Sequence, residues 1–188
     1  MSVKRISTPL SEQDVMELKA GDNVLITGVV YSARDAAHKK LVELLDKGED
    51  LPVDLRGQVI YYVGPAPAKP GQVIGSAGPT TSGRMDAYTP ALLAQGAKGL
   101  VGKGSRNQEV KDALKEHGAV YFASVGGAAA LTAKTIKASE VVAYEELGAE
   151  AIRRMTVEDF PVTVVNDAHG NDLYVEGAKK YERVAGEG

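Results

Sequence analysis

Twelve residues from Gly75 to Asp86, GSAGPTTSGRMD, concentrate the side chains best suited to chemistry. Three glycines, one proline, four hydroxyls and one arginine stand there with neither helical nor strand periodicity. Glycine lets backbone N–H groups approach a ligand, hydroxyls donate and accept, and arginine presents a planar fork of donors matched to a carboxylate. The stretch reads as an anion-binding loop running into a helix over 86–95 (DAYTPALLAQ), whose N-terminus would add attraction for negative charge. A surface loop of turn-forming residues has the same composition.

Two further cations occupy comparable places. Arg34 falls between a β-branched run and a helical segment, where side chains of α/β folds project toward ligands; a solvated first-turn charge is the alternative. Lys103 lies between Gly102 and Gly104 at the end of a short apolar run, and its alternative is a turn lysine in water. This is not a P-loop, because the spaced first glycine and the Lys-Ser/Thr pair are missing.

The elements that must carry these residues follow from periodicity. Residues 23–31 (NVLITGVVY) are β-branched and apolar, which predicts a buried strand, and 33–45 carry helical spacing with Ser32 as N-cap. Strands are predicted over 57–63, 99–101, 119–124, 137–144 and 151–158. A hairpin pairing 161–166 with 172–175 follows. A polar helix spans 107–117, capped by Asn107 and stopped by Gly118, and the small-residue segment 126–131 enters a further helix. One or two helical turns over 11–18 follow a polar lead. Residues 1–10 and 184–188 are expected to be flexible ends of a single domain over 1–188. β–α units in the middle and antiparallel strands at the end predict a three-layer α/β domain with a mixed sheet.

Composition narrows the partners. The 44% hydrophobic and 25% charged content is that of a soluble globular protein, and a net charge of −3 supplies no basic surface for nucleic acid. With no cysteine, the chain itself offers no thiolate for zinc or an iron–sulfur cluster. His38, His117 and His169 fit no metal-ligand spacing, so no metal site is expected. No apolar run approaches the roughly 20 residues of a membrane span, and MSVKRISTPL lacks the apolar core of a signal peptide; a cytoplasmic location is expected.

Five ordered motifs then add up to a resemblance: ARDAAH at 33–38, GPTTSGRMD at 78–86, GKG at 102–104, SVGGAAAL at 124–131 and VEDFPVTVVNDAHGNDLY near the end. Together they resemble the C-terminal domain, or separate β subunit, of the class I iron–sulfur fumarate hydratases and the similar L-tartrate dehydratases, over about residues 10–181. The resemblance implies a swivelling β/β/α fold. It also implies a partner α subunit that holds a four-iron, four-sulfur cluster, in an α2β2 heterotetramer acting on a C4-dicarboxylate. By motif, Arg34, Thr80, Arg84 and Lys103 are implied to face substrate, Thr80 as general base and Lys103 as a second catalytic group. Thr81, Asp86 and His38 are candidate supporting residues. His38 lies one helical turn from Arg34 and either supports it or is a surface histidine.

The residue types suit such a reaction on their own account. Adding water across a dicarboxylate alkene needs cations to clamp two carboxylates and to stabilise charge developing beside the reacting carbon. Thr80 is a weak base unless a neighbouring cation stabilises its alkoxide, and orienting substrate or water is its alternative role. A non-catalytic dicarboxylate-binding module is the reading from a different functional class.

Overall fold

Strict alternation along the central strands sends side chains into two separate cores, and that division sets the architecture. In this computed structural model, which describes residues 2–124 and 129–186, five strands run parallel in sequence order. They are β1 (Lys4–Ser7), β2 (Asn23–Ser32), β3 (Val59–Tyr61), β4 (Gly99–Gly102) and β5 (Val120–Ser124). Two more, β6 (Ile136–Ala143) and β7 (Ile152–Asn166), run antiparallel to each other. β7 pairs antiparallel with both β2 and β5. The succession β2-β3-β4-β5-β7 therefore closes on itself like a barrel, with β1 and β6 appended.

Val59, Tyr61, Val101, Val120, Phe122 and Phe160 point into the inner core. Their neighbours Ile60, Tyr62, Leu100 and Tyr121 point outward, against Leu41, Leu92 and Leu114. Those three leucines belong to the helices α2 (Asp35–Asp46), α3 (Thr89–Ala94) and α4 (Gln108–His117). The result is α/β with a mixed sheet, as the sequence pattern predicts. Ahead of β2, α1 (Glu12–Glu17) is held by a reciprocal cap. The Ser11 hydroxyl accepts from the Asp14 N–H at 3.1 Å, and the Asp14 carboxylate accepts from the Ser11 N–H at 2.8 Å. Val15 and Leu18 then reach the inner core.

Several sequence expectations change. The lead is not wholly irregular: Lys4–Ser7 adds β1 in parallel to β2. Ser32 is no N-cap but the last residue of β2, where its hydroxyl accepts the Arg153 N–H at 3.0 Å; Arg34 stands at the cap position. The two strands expected at 151–158 and 161–166 are one, and Pro161 falls between the stretches of β7 that pair with β6 and with β5. Residues 172–175 make a single bridge, Asn166 to Asp172, before α6 (Leu173–Gly186) replaces the expected strand and irregular tail. Asp172 initiates that helix by accepting the Tyr174 N–H at 2.9 Å. α5 (Ala129–Thr135) matches the helix expected after the small-residue segment, of which residues 126–128 lie outside the described residues.

Candidate functional site

β2, β3 and β4 are parallel, so their carboxyl ends share one side of the sheet, and the predicted site residues gather there. Arg34 follows β2 and Lys103 follows β4. The stretch 75–86 is stitched between them by backbone bonds. The Thr80 N–H donates to the Tyr62 carbonyl at 2.7 Å, Thr81 bridges Lys103 in parallel, and the Ser82 N–H donates to the Lys103 carbonyl at 2.9 Å. A glycine makes this approach possible: a Cβ on Gly102 would lie 2.0 Å from the Ser82 hydroxyl. Ser82–Met85 then form a 3-10 turn, and the expected helix over 86–95 shortens to the six residues of α3. The stretch therefore meets no long helix N-terminus, and its attraction for anions comes from side chains and backbone N–H groups.

Asp35 joins the two predicted arginines, and sequence reasoning missed it. Arg84 Nε donates to Asp35 Oδ1 at 2.8 Å, and Arg34 Nε lies 3.7 Å from Asp35 Oδ2 and 3.9 Å from Glu150 Oε1. Arg34 is threaded past Gly64, where a Cβ would stand 3.0 Å from its Cδ. As the first residue of α2, Asp35 is favoured by the helix dipole, so it is anchored from below while it holds the arginines above. Its signal in the sequence is its place directly after Arg34. Arg84 and Lys103 are exposed, and Thr80 is half-buried.

Beneath this surface lies a polar network built on Arg106, which the sequence reading also passed over. Its side chain is 0% exposed, and its Nε donates to Asp86 Oδ1 at 2.7 Å. The two terminal nitrogens donate to the Tyr62 hydroxyl at 3.0 Å and to Thr89 Oγ1 at 2.8 Å. Asp86 thus turns inward to Arg106 and to the Asn107 N–H, 3.0 Å away, rather than toward Thr80. Burial acts to lower the Arg106 pKa, but Tyr62 and Asp86 outweigh it and the net direction is upward, so the guanidinium stays charged.

His38 is a buried residue, not a surface one. Its Nδ1 lies 2.8 Å from the Arg34 carbonyl, which only accepts, so Nδ1 carries the proton and pins the backbone at Arg34. The ring packs edge-on to Tyr62, and desolvation holds its pKa down at about 4, leaving it neutral. Its support of Arg34 therefore runs through the main chain.

A cavity of about 630 Å³ lies beside the stretch, lined by Val73, Ile74 and Ile136 with Lys69, Lys134 and Lys137; it shares Gly75 and Ser76 with the stretch but none of Arg34, Thr80, Arg84 or Lys103. Arg84 and Lys103 thus present their charges at the surface. The chain contains no cysteine, and the described residues hold no group of three or more His, Asp or Glu side chains able to bind a metal ion. This donor set does not fit an iron–sulfur cluster. No helix among the described residues is long and apolar enough to cross a membrane.

Residues 2–177 match the family described as Fumarase C-terminus. The aerobic class I fumarate hydratase of Escherichia coli is 44% identical over 174 residues, covering 92% of this chain and 31% of that protein. The corresponding enzyme of Salmonella typhimurium is 43% identical over 173 residues, 90% of this chain and 30% of that protein. A protein of Methanocaldococcus jannaschii, provisionally named L(+)-tartrate dehydratase subunit beta, is 41% identical over 182 residues, 93% of each chain. This chain belongs to the Fumarase C-terminus family, and it spans about a third of the length of the fumarate hydratases it matches.

Proposed function

We propose that this chain is the β subunit of a heteromeric hydro-lyase that reversibly hydrates fumarate to L-malate. The observation that carries the reading is the meeting of Arg34, Arg84, Thr80 and Lys103 on one open face, in a chain 43% identical to a fumarate hydratase over nine-tenths of its length. In this reading Arg34 and Arg84 clamp the substrate carboxylates, with Asp35 holding the two guanidinium groups ready for a dianion. Lys103 stabilises the negative charge that develops beside the reacting carbon. Thr80 removes the carbon-bound proton of malate in the dehydration direction and returns it in hydration, with its alkoxide stabilised by Lys103 or Arg84.

A four-iron, four-sulfur cluster belongs in this reading to a partner α subunit, in an α2β2 assembly, since this chain has no cysteine to hold it. The exposure of Arg84 and Lys103 supports a site completed by that partner. One observation favours a second substrate: the provisionally named tartrate dehydratase β subunit is a separate chain of matching extent. The subunit role is the same there, with L-tartrate in place of malate.

An anaerobic assay following fumarate absorbance tests the reading on this chain alone and after co-expression with a cluster-bearing α subunit. Activity should appear only in the complex, with tartrate run in parallel to settle the substrate. Dicarboxylate binding without turnover in the complex would point to a non-catalytic module. Thr80→Val should abolish proton exchange at the malate carbon while substrate still binds; retained exchange would remove Thr80 as the base.

A further inference from the structure

Arg106 has no role in the steps above, yet each of its three guanidinium nitrogens donates a hydrogen bond. It sits in the loop that carries Lys103, and its partners lie on other segments. Asp86 ends the stretch bearing Thr80 and Arg84, Tyr62 follows β3, and Thr89 begins α3. The group also lies 5.2 Å and 4.8 Å from the ring centroids of Tyr62 and Tyr121. A second tie runs beside it: the Tyr121 hydroxyl donates to the Gly104 carbonyl at 2.7 Å and meets the Ser82 hydroxyl at 2.8 Å. Two loops that each present a cation or a hydroxyl to the open face are thereby cross-linked from underneath.

Stability alone does not account for this arrangement, since a buried ion pair is often matched or surpassed by apolar side chains of similar volume. What apolar packing would not supply is direction. A planar fork with three engaged nitrogens fixes the angle between the segments it joins, whereas an ammonium would neutralise Asp86 without reaching Tyr62 and Thr89 together. We propose that Arg106 is a positioning residue that sets the Lys103 loop in register with the Thr80–Arg84 turn. The kinetic consequence rests on the hydro-lyase reading; the positioning is a property of this chain.

Two measurements on Arg106→Lys keep those claims apart, with Tyr62→Phe as the milder variant that retains the ring. The first is residue-resolved hydrogen exchange on the full chain. Loss of register should speed exchange of the Ser82 and Asn107 amides about tenfold or more, while the amides of β2 keep their protection. The second is steady-state kinetics of the assembled complex, where kcat should fall by about 100-fold with KM changed far less. Unchanged exchange at Ser82 and Asn107 in both variants overturns the proposal. So does a rise spread evenly over β2 and the loops, which would mark a merely structural residue. Unchanged kcat in an active complex, despite altered exchange, would equally overturn it. If the wild-type complex hydrates no fumarate and dehydrates no tartrate, the hydro-lyase reading fails while exchange still decides the positioning.

Discussion

Arg84 lies within the 3-10 turn and Arg106 pairs with Asp86 at its end, in opposite surroundings. The Arg84 side chain is 56% exposed and makes one ion pair, to Asp35; that of Arg106 is 0% exposed and makes three hydrogen bonds. An exposed pair is weak because water competes for both partners and ordering the side chains costs entropy. A buried one has no such competitor, and removing one partner strands the other. The exposed arginine is thus loosely held and the buried one tightly held, although both are the same amino acid.

The contrast is broken most directly by Arg106→Ala. It would leave Asp86 buried without its cation and should cost about 3–5 kcal/mol of unfolding free energy, read by urea denaturation of the isolated chain. A cost below about 1 kcal/mol would mean that water replaces the guanidinium and that the lower layer is no more rigid than the upper.

Acid is the next largest lever, through His38. The folded pKa is about 4 against an ordinary 6.5, so the unfolded chain takes up a proton that the folded one refuses. The stability this supports is present above pH 6.5 and is lost as pH falls toward 4, by up to about 3 kcal/mol. His38→Gln should flatten unfolding free energy measured over that window. A profile as steep as the wild type's would assign the acid sensitivity elsewhere.

Arg84→Ala and Lys103→Ala sharpen the comparison from the exposed side. In the proposed hydro-lyase each would remove a charged hydrogen bond to substrate that contributes roughly 1.5–3 kcal/mol at the transition state, so kcat/KM of the assembled complex should drop by about 10- to 150-fold. Near-normal turnover would show that the anion site lies elsewhere. The smallest effect expected is on stability: Arg84→Ala should move the unfolding free energy of the isolated chain by no more than about 0.5 kcal/mol.

Much of the architecture could be read from residue patterns, because strands and helices announce themselves locally. The β-branched run of β2 and the Asn107 cap of α4 lie where expected; Asn107 accepts the Val110 N–H at 2.9 Å. The grouping of Arg34, Thr80, Arg84 and Lys103 was legible through the motifs that carry the family resemblance, with Arg84 after Gly83 and Lys103 between two glycines standing out by neighbourhood as well. What was hidden depends on distant segments. Arg106 and His38 carry polar side chains whose burial is decided by Tyr62 and Tyr121, far away in sequence. Pro161 suggests an interruption, yet β7 passes through it because the partner on one edge changes there. The closing helix differs from the expected strand because Asp172, placed at the start of that strand, is instead a cap that accepts the Tyr174 N–H.

The antiparallel pairing of β2 with β7 has a consequence for how the chain acquires its shape. It joins Asn23 to Thr163 and Ser32 to Arg153, so the ring closes only when segments from opposite ends of the sequence meet. Such distant pairing is slow, since loop entropy must be overcome before the contact rewards it. During synthesis β2 emerges long before its mate. Until β7 arrives, one side of its ladder is open to other nascent chains, which makes crowded expression the condition under which this domain should aggregate.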